Sequence, residues 1–321
     1  MLYSLLKIPA KLALLIWCRH LRINKKEILN ADGPLLIAAN HPNSFLDAVL
    51  LATLFKRPIY SLARGDAFKN KFYAKILRAL KMFPVYRISE GAQNLEENYG
   101  TFDECIKVFR KKDIVLIFTE GECVNEWNLR PLKKGTARLI IKAWEDGIPL
   151  QIIPTGINYS SFSRFGKNVI LNFGDVLSKN DHPFTPSQSG GTKIKMLNDA
   201  MKFQLEKLVV QVKPVNKTRL KKVFEIPVSR AKKVLLFIPA ILGYIIHAPL
   251  YIPVQKYAYK KFGRIDHYNS VLVGILFLLY PFYLIIVAAL IYLIVGGWWV
   301  ISVFILLPST AYSFIQVKER I

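Results

Sequence analysis

From Ser270 to Val317 the chain carries no charged residue. At roughly 20 residues per bilayer crossing, such a run has room for two transmembrane helices. Gly296 and Gly297 mark the turn between them, and Trp298 and Trp299 suit a membrane interface. Upstream lie a basic linker (Lys217, Arg219, Lys221, Lys222, then Arg230, Lys232, Lys233), a proline-broken apolar run from Val234 to Val254, and a second basic patch (Lys256, Lys260, Lys261, Arg264). A single crossing by Val234–Val254 would put its two basic flanks on opposite sides of the bilayer, so an interfacial or re-entrant segment is expected. The positive-inside bias then places the basic patch, the tail and the domain upstream of them on the cytoplasmic face of a multi-pass membrane protein.

The N-terminus is read as a second, weaker membrane contact. Lys7 and Lys11 are four residues apart, so they share one face of a helix whose other face is filled by leucines. Lysines interrupt the apolar stretch and no small-residue cleavage site follows, which disfavours a secretory signal and favours an amphipathic interfacial helix. Between these membrane segments, from Leu35 to about Val212, strand-like and helix-like blocks alternate. The strand candidates are 35–39, 59–63, 83–86, 114–118, 150–158 and 169–173, and the helices are 44–55, 67–80, 94–111, 136–146 and 192–212. Such alternation predicts an α/β fold with a largely parallel sheet flanked by helices, its chemistry collected at the carboxyl ends of the strands. The expected division is an N-terminal helix (1–29), an α/β domain (30–213), a basic linker with the apolar segment (214–269), two transmembrane helices (270–317) and a short tail (318–321).

Four blocks stand at predicted strand ends. The first is Asn40-His41-Pro42-Asn43-Ser44-Phe45-Leu46-Asp47, a turn between an apolar strand and a helix, with Pro42 suited to the helix start. A histidine there with a carboxylate about one helical turn away suits general-base chemistry; the alternative is a capping residue beside a solvated acid. The second block is Phe83-Pro84-Val85-Tyr86-Arg87, and an arginine on a strand end suits phosphate recognition. The third is Phe118-Thr119-Glu120-Gly121, continuing through Arg130 to Lys133-Lys134-Gly135 at a helix N-terminus, itself an anion site. The fourth is Ile153-Pro154-Thr155-Gly156-Ile157. The net charge of +23 implies an anionic partner: nucleic acid, a membrane surface, or a phosphorylated or coenzyme-type substrate. No nucleic-acid recognition motif is present, and a membrane hairpin fits such a role poorly, so no nucleic-acid partner is expected and anionic membrane lipids are. Three widely spaced cysteines and no H-E-x-x-H spacing argue against disulfides and a metal site.

These four ordered blocks, spanning about residues 30 to 215, resemble those of the phospholipid and glycerol acyltransferase superfamily. The resemblance implies a membrane-bound O-acyltransferase of phospholipid biosynthesis. It would move a fatty acyl group from a thioester to a hydroxyl of glycerol-3-phosphate or 1-acylglycerol-3-phosphate. His41 would be the catalytic base and Asp47 its orienting carboxylate. Substrate contacts would come from Asn43 and Ser44 as oxyanion donors, Arg87, Lys133 and Lys134 on the phosphate, and Glu120, Gly121 and Pro154 in the acceptor pocket. No cofactor is implied; acyl-CoA or acyl carrier protein is the co-substrate. Two departures are notable. Five residues separate His41 from Asp47 where four are usual, a spacing that resembles the fungal-type glycerol-3-phosphate and dihydroxyacetone-phosphate enzymes. Cys123 stands where the third block usually has arginine, leaving Arg130 or Lys134 to supply that charge. Two other readings are an acyltransferase for another hydroxylated lipid, such as a lyso-amino-acid lipid, and a non-catalytic membrane adaptor with the same fold.

Overall fold

The computed structural model describes residues 2–86, 97–181, 184–185, 187–213 and 216–318. Seven strands form one mixed sheet: β1 (Cys18–Ile23), β2 (Leu35–Ala39), β3 (Ile59–Arg64), β4 (Met82–Val85), β5 (Ile114–Phe118), β6 (Gln151–Tyr159) and β7 (Lys167–Phe173). Their order is β1-β7-β6-β2-β5-β3-β4, and every neighbouring pair is parallel except β6 with β7. The expected largely parallel α/β sheet is therefore present, with β2 at its centre. β1 is a strand that the sequence pattern did not announce. It lies at the sheet edge directly after the N-terminal helix, pairing with β7.

Strand geometry explains why β2 can be apolar throughout. Successive side chains point to opposite faces, and both faces here are covered. Leu35, Ile37 and Ala39 pack on one side with Leu46, Leu50 and Leu51 of α2 (Phe45–Leu54) and with Trp17 of α1 (Leu2–Trp17). Leu36 and Ala38 pack on the other with Phe109 of α4 (Glu97–Arg110), Ile140 and Trp144 of α5 (Lys134–Glu145), and Met201 of α6 (Gly190–Leu208). α3 (Lys71–Ala79) precedes β4, and Asn70 caps it by accepting from the Phe72 and Tyr73 N–H groups. On α1, Lys7 reaches back to the carbonyls of Phe55 and Lys56 at the end of α2, 2.5 and 3.2 Å away, where a cation meets the negative end of that helix. Its Leu5, Ile8, Leu12 and Leu15 face outward, exposed.

After the short helix α7 (Lys217–Phe224), three helices among the described residues are long and apolar enough to cross a membrane: α8 (Arg230–Phe262), α9 (Tyr268–Val295), and the 20-residue stretch Trp298–Val317, which opens as a 3-10 turn and continues as α10 (Val303–Val317). The chain turns between α9 and α10 at Gly296 and Gly297, both with positive φ. α8 runs unbroken through Pro239, Pro249 and Pro253 and includes the whole 234–254 segment. Both ends of α8 return to the sheet domain's side. Near its start, Lys232 bonds Gln316 at the end of α10 (2.6 Å), and Gln316 donates to the Arg19 carbonyl of β1. Near its end, Val254 and Ala258 pack with Tyr268 and Leu272 of α9.

α8 and α10 touch backbone to backbone at Gly243, where a Cβ would run into the Thr310 carbonyl. Gly243→Leu should force the two helices apart at an overpacking cost of about 1–3 kcal/mol, read as a melting temperature several degrees lower in detergent. An unchanged melting temperature would show that this contact is not formed.

Candidate active site

The site begins where β2 ends. The Asn40 side chain closes onto β6, accepting from the Ile157 N–H (2.7 Å) and donating to the Ile157 carbonyl (3.1 Å), so the chain leaves the sheet at a fixed angle. His41 follows, its ring stacked on Phe118 from the end of β5 at 3.8 Å between centroids and 10° between planes. Its Nδ1 lies 2.9 Å from Asp47 Oδ2. Its Nε2 has no hydrogen-bond partner among the described residues, and the side chain is 17% exposed.

Asp47 has no exposed side-chain surface. A bare buried carboxylate would be costly, and three donors answer it: His41 Nδ1 and the Asn43 N–H (2.8 Å) on Oδ2, and the Tyr159 hydroxyl (2.7 Å) on Oδ1. Burial, and then the Asp47 charge, push the Tyr159 phenol well above its ordinary range, so it remains protonated as a donor. With the carboxylate holding a proton on Nδ1, Nε2 is left as the bare acceptor nitrogen, the form in which imidazole can take a proton from a hydroxyl.

A second buried carboxylate ties two loops together. Glu120 accepts from the His41 N–H (2.8 Å) on one oxygen and from the Arg130 N–H (2.9 Å) on the other. Burial raises its pKa, and those two backbone donors oppose the rise. Gly121, with φ +69°, lets the loop turn beneath the Lys133 side chain. The Arg130 guanidinium is taken by Glu122 (2.6 Å) and Glu126 (3.2 Å). Lys133 and Lys134 are exposed and have no carboxylate partner among the described residues. Lys134 borders a groove of about 850 Å³ between α5 and α6, to which Arg138, Lys195 and Lys202 also contribute.

The turn gathers most of the residues singled out by the motifs: His41, Asn43, Ser44, Asp47, Glu120, and Gly121 with Lys133. Others fall differently. Both expected oxyanion donors are engaged, the Asn43 N–H on Asp47 and the Ser44 N–H on Cys123 Sγ at 2.9 Å. Arg130 is spent on its two glutamates, so of the two residues left to replace the missing arginine, Lys134 is the uncommitted one. Pro154 is a buried mid-strand residue of β6 opposite Ala38, because the fourth block is itself a strand. Arg87 lies outside the described residues. Burial pushes the Cys123 thiol upward, away from thiolate character.

Several residues of the site carried no sequence signal. Tyr159 is one. The others come from the start of α9: His267 Nδ1 is 2.8 Å from the Ser44 hydroxyl, Ser270 donates to the Asn43 carbonyl (3.1 Å), and the Asp266 carboxylate accepts from the Asn125 N–H (3.0 Å). Asn269, fully buried, accepts through Oδ1 from Lys167 Nζ (2.7 Å), Trp17 Nε1 (3.2 Å) and Asn43 Nδ2 (3.4 Å). Lys167 is itself buried, with Nζ over the Trp17 and Tyr159 rings at 5.1 and 5.4 Å.

The sheet therefore carries a histidine–carboxylate pair at its carboxyl edge, a geometry in which an imidazole can take up a proton. Known proteins with similar sequences point to the chemistry. An acyltransferase family model matches residues 20–158, from within β1 to the last residue but one of β6. The 1-acyl-sn-glycerol-3-phosphate acyltransferase of Bacillus subtilis (strain 168) is 23% identical over 188 residues, 58% of this chain and 87% of the relative. The crystal structure of the 1-acyl-sn-glycerophosphate (LPA) acyltransferase PlsC from Thermotoga maritima aligns at 15% identity over 59% of this chain and 72% of that one, with a TM-score of 0.38. Residues 20–158 thus carry an acyltransferase domain, and over that region the chain is similar to the phospholipid and glycerol acyltransferase superfamily.

Burial lowers the Lys167 ammonium to about 7. Between there and the ordinary lysine range the unfolded chain holds a proton that the folded protein has released, so this residue's contribution to stability rises with pH. Thermal unfolding in detergent should show wild type gaining on Lys167→Met from pH 7 to pH 9. A difference that stays flat over that range would mean Lys167 titrates normally.

Proposed function

We propose that this protein is a membrane-bound glycerolipid acyltransferase that esterifies a hydroxyl of glycerol-3-phosphate or 1-acylglycerol-3-phosphate from an acyl thioester. The observation that carries the proposal is the His41–Asp47 pair at 2.9 Å, with Nε2 unpartnered among the described residues and the ring partly exposed. His41 Nε2 takes the proton of the acceptor hydroxyl as its oxygen attacks the thioester carbonyl. The tetrahedral intermediate collapses with cleavage of the carbon–sulfur bond, and the imidazolium returns the proton to the leaving thiolate. General-base assistance of this kind contributes about 10²–10⁴-fold. Of the two expected oxyanion donors, the Ser44 N–H is the one able to serve. It rests on a neutral thiol, a weak acceptor, whereas the Asn43 N–H is held by a carboxylate. The thiol that leaves belongs to coenzyme A or acyl carrier protein.

Lys133 and Lys134, beside the N-terminus of α5, are assigned the acceptor's phosphate, as is Arg87 on the strength of the second motif block alone. The catalytic domain is assigned to the cytoplasmic face. In this arrangement α9 and α10 span as a hairpin with Trp298, 85% exposed, at the far interface. α8 lies along the near side as an interfacial or re-entrant helix, so that both of its basic flanks stay with the domain. The outward leucines of α1 add a reversible contact with the same leaflet.

An assay of the detergent-solubilised protein against glycerol-3-phosphate, 1-acylglycerol-3-phosphate and a lyso-amino-acid lipid, each with acyl-CoA and acyl carrier protein donors, tests the acceptor class. A phosphorylated glycerol acceptor should give the highest kcat/KM. Lys133→Ala combined with Lys134→Ala should raise the KM for that acceptor about tenfold while changing the donor KM little. Equal turnover of an acceptor without phosphate, or an unchanged acceptor KM in the double variant, would contradict the assignment.

A further inference from the structure

The catalytic turn is gripped from outside the family domain. The family model ends at residue 158, whereas Asp266, His267, Asn269 and Ser270 bond into the turn or its neighbouring loop from more than a hundred residues downstream. Asn43 is the pivot. Its N–H holds Asp47 Oδ2, while its side-chain amide reaches Asn269 and its carbonyl takes the Ser270 hydroxyl. Asn43 and Asn269 have no exposed surface, so these bonds have no water to replace them.

A second line of contacts reaches the same carboxylate. Asn269 Oδ1 accepts from Lys167 Nζ, the Lys167 amine lies over the Tyr159 ring, and the Tyr159 hydroxyl donates to Asp47 Oδ1. Trp17, whose Nε1 also donates to Asn269, has its ring 5.7 Å from that of Tyr159. Both carboxylate oxygens of Asp47 are thus held by residues that rest on one side chain of α9. Ser44 shows that the turn needs holding. Its φ of 54° and ψ of −145° are unfavourable for a residue with a Cβ, and His267 sits on its hydroxyl.

We propose that the first turn of α9 is part of the active site, with Asn269 as a positioning residue that fixes the His41–Asp47 pair through Asn43 on one side and through Lys167 and Tyr159 on the other. The inference rests on the reading of His41 and Asp47 as the catalytic pair. Its consequence is that activity requires α9 to be seated, so seating the membrane helices and assembling the catalytic turn are one event.

The test uses the full-length protein in detergent, with folded fraction measured by thermal unfolding and rates expressed per folded molecule. Asn269→Leu keeps the volume and removes the acceptor. It should lower kcat about tenfold or more while both KM values stay within about threefold, because what is lost is alignment of the base and not substrate contact. Asn269→Asp keeps an acceptor oxygen and should recover most of that kcat, a rescue that a purely structural role does not predict. Ser270→Ala, which deletes one hydroxyl without stranding Lys167, should lower kcat several-fold in a folded protein; this variant decides the matter if Asn269→Leu does not fold. Wild-type kcat in folded Asn269→Leu or Ser270→Ala, or failure of Asn269→Asp to recover kcat, overturns the proposal. His41→Ala run alongside separates the two readings. If it is inactive while Asn269→Leu is normal, only the positioning role fails; if His41→Ala is as active as wild type, the catalytic pair itself is wrong.

Discussion

The Asp47 carboxylate is a buried charge, and the surrounding architecture can be read as the set of conditions that make it tolerable. Its three donors come from three places: the ring of His41 at the end of β2, the backbone of Asn43 in the turn, and the hydroxyl of Tyr159 at the end of β6. Losing any one would leave a lone pair of a buried anion unanswered, which costs far more than an ordinary hydrogen bond contributes. The same logic governs Glu120, whose two oxygens each satisfy a backbone N–H and so lock the Arg130 loop to the His41 loop. Two carboxylates therefore do the work of a rigid frame on a pair of loops. The histidine they hold keeps one nitrogen bonded inward and one turned outward.

A frame of this kind depends on elements distant in sequence, and this one extends into the helices next to the membrane. Trp17 at the end of α1, Lys167 at the start of β7 and Asn269 in the first turn of α9 meet at a single amide oxygen. The N-terminal helix and the hairpin thus seat against one another and against the sheet at the point where the turn carrying His41 and Asp47 is supported from behind. Residues 30–213 contain all four motif blocks, yet a chain cut there would leave Asn43, Ser44 and Lys167 without these partners.

Much of this organisation was legible in the sequence because it rests on local patterns. The fully apolar β2, the turn with Pro42, the alternation of strands and helices, and the charge-free run from Ser270 are each written within a few dozen residues. What stayed hidden has physical reasons. β1, Cys-Arg-His-Leu-Arg-Ile, is an edge strand with one solvated face, so its basic residues read as a charge cluster following a helix. The engagement of Arg130 by Glu122 and Glu126 depends on how a loop folds, and spacing alone does not say which cation stays free. Tyr159 lies just past the fourth block, and no periodicity distinguishes a tyrosine that serves a carboxylate from one that fills a core. Asn269 and Lys167 are unremarkable singly; only their meeting reveals them. α8 remains helical across three prolines, each of which removes a donor, and that follows from its packing on α9 and α10 more than from its own propensity.

Asp47→Asn in the full-length protein tests the role of Asp47 most directly. The substitution preserves shape and volume while removing the charge and, at one atom, the ability to accept. The His41 ring should then lose its fixed tautomer, and kcat should fall by about 10²–10⁴-fold with the protein still folded and substrate KM values little changed. Turnover at the wild-type rate by a folded Asp47→Asn protein would contradict this role, because a buried carboxylate held by three donors would then have no part in the chemistry.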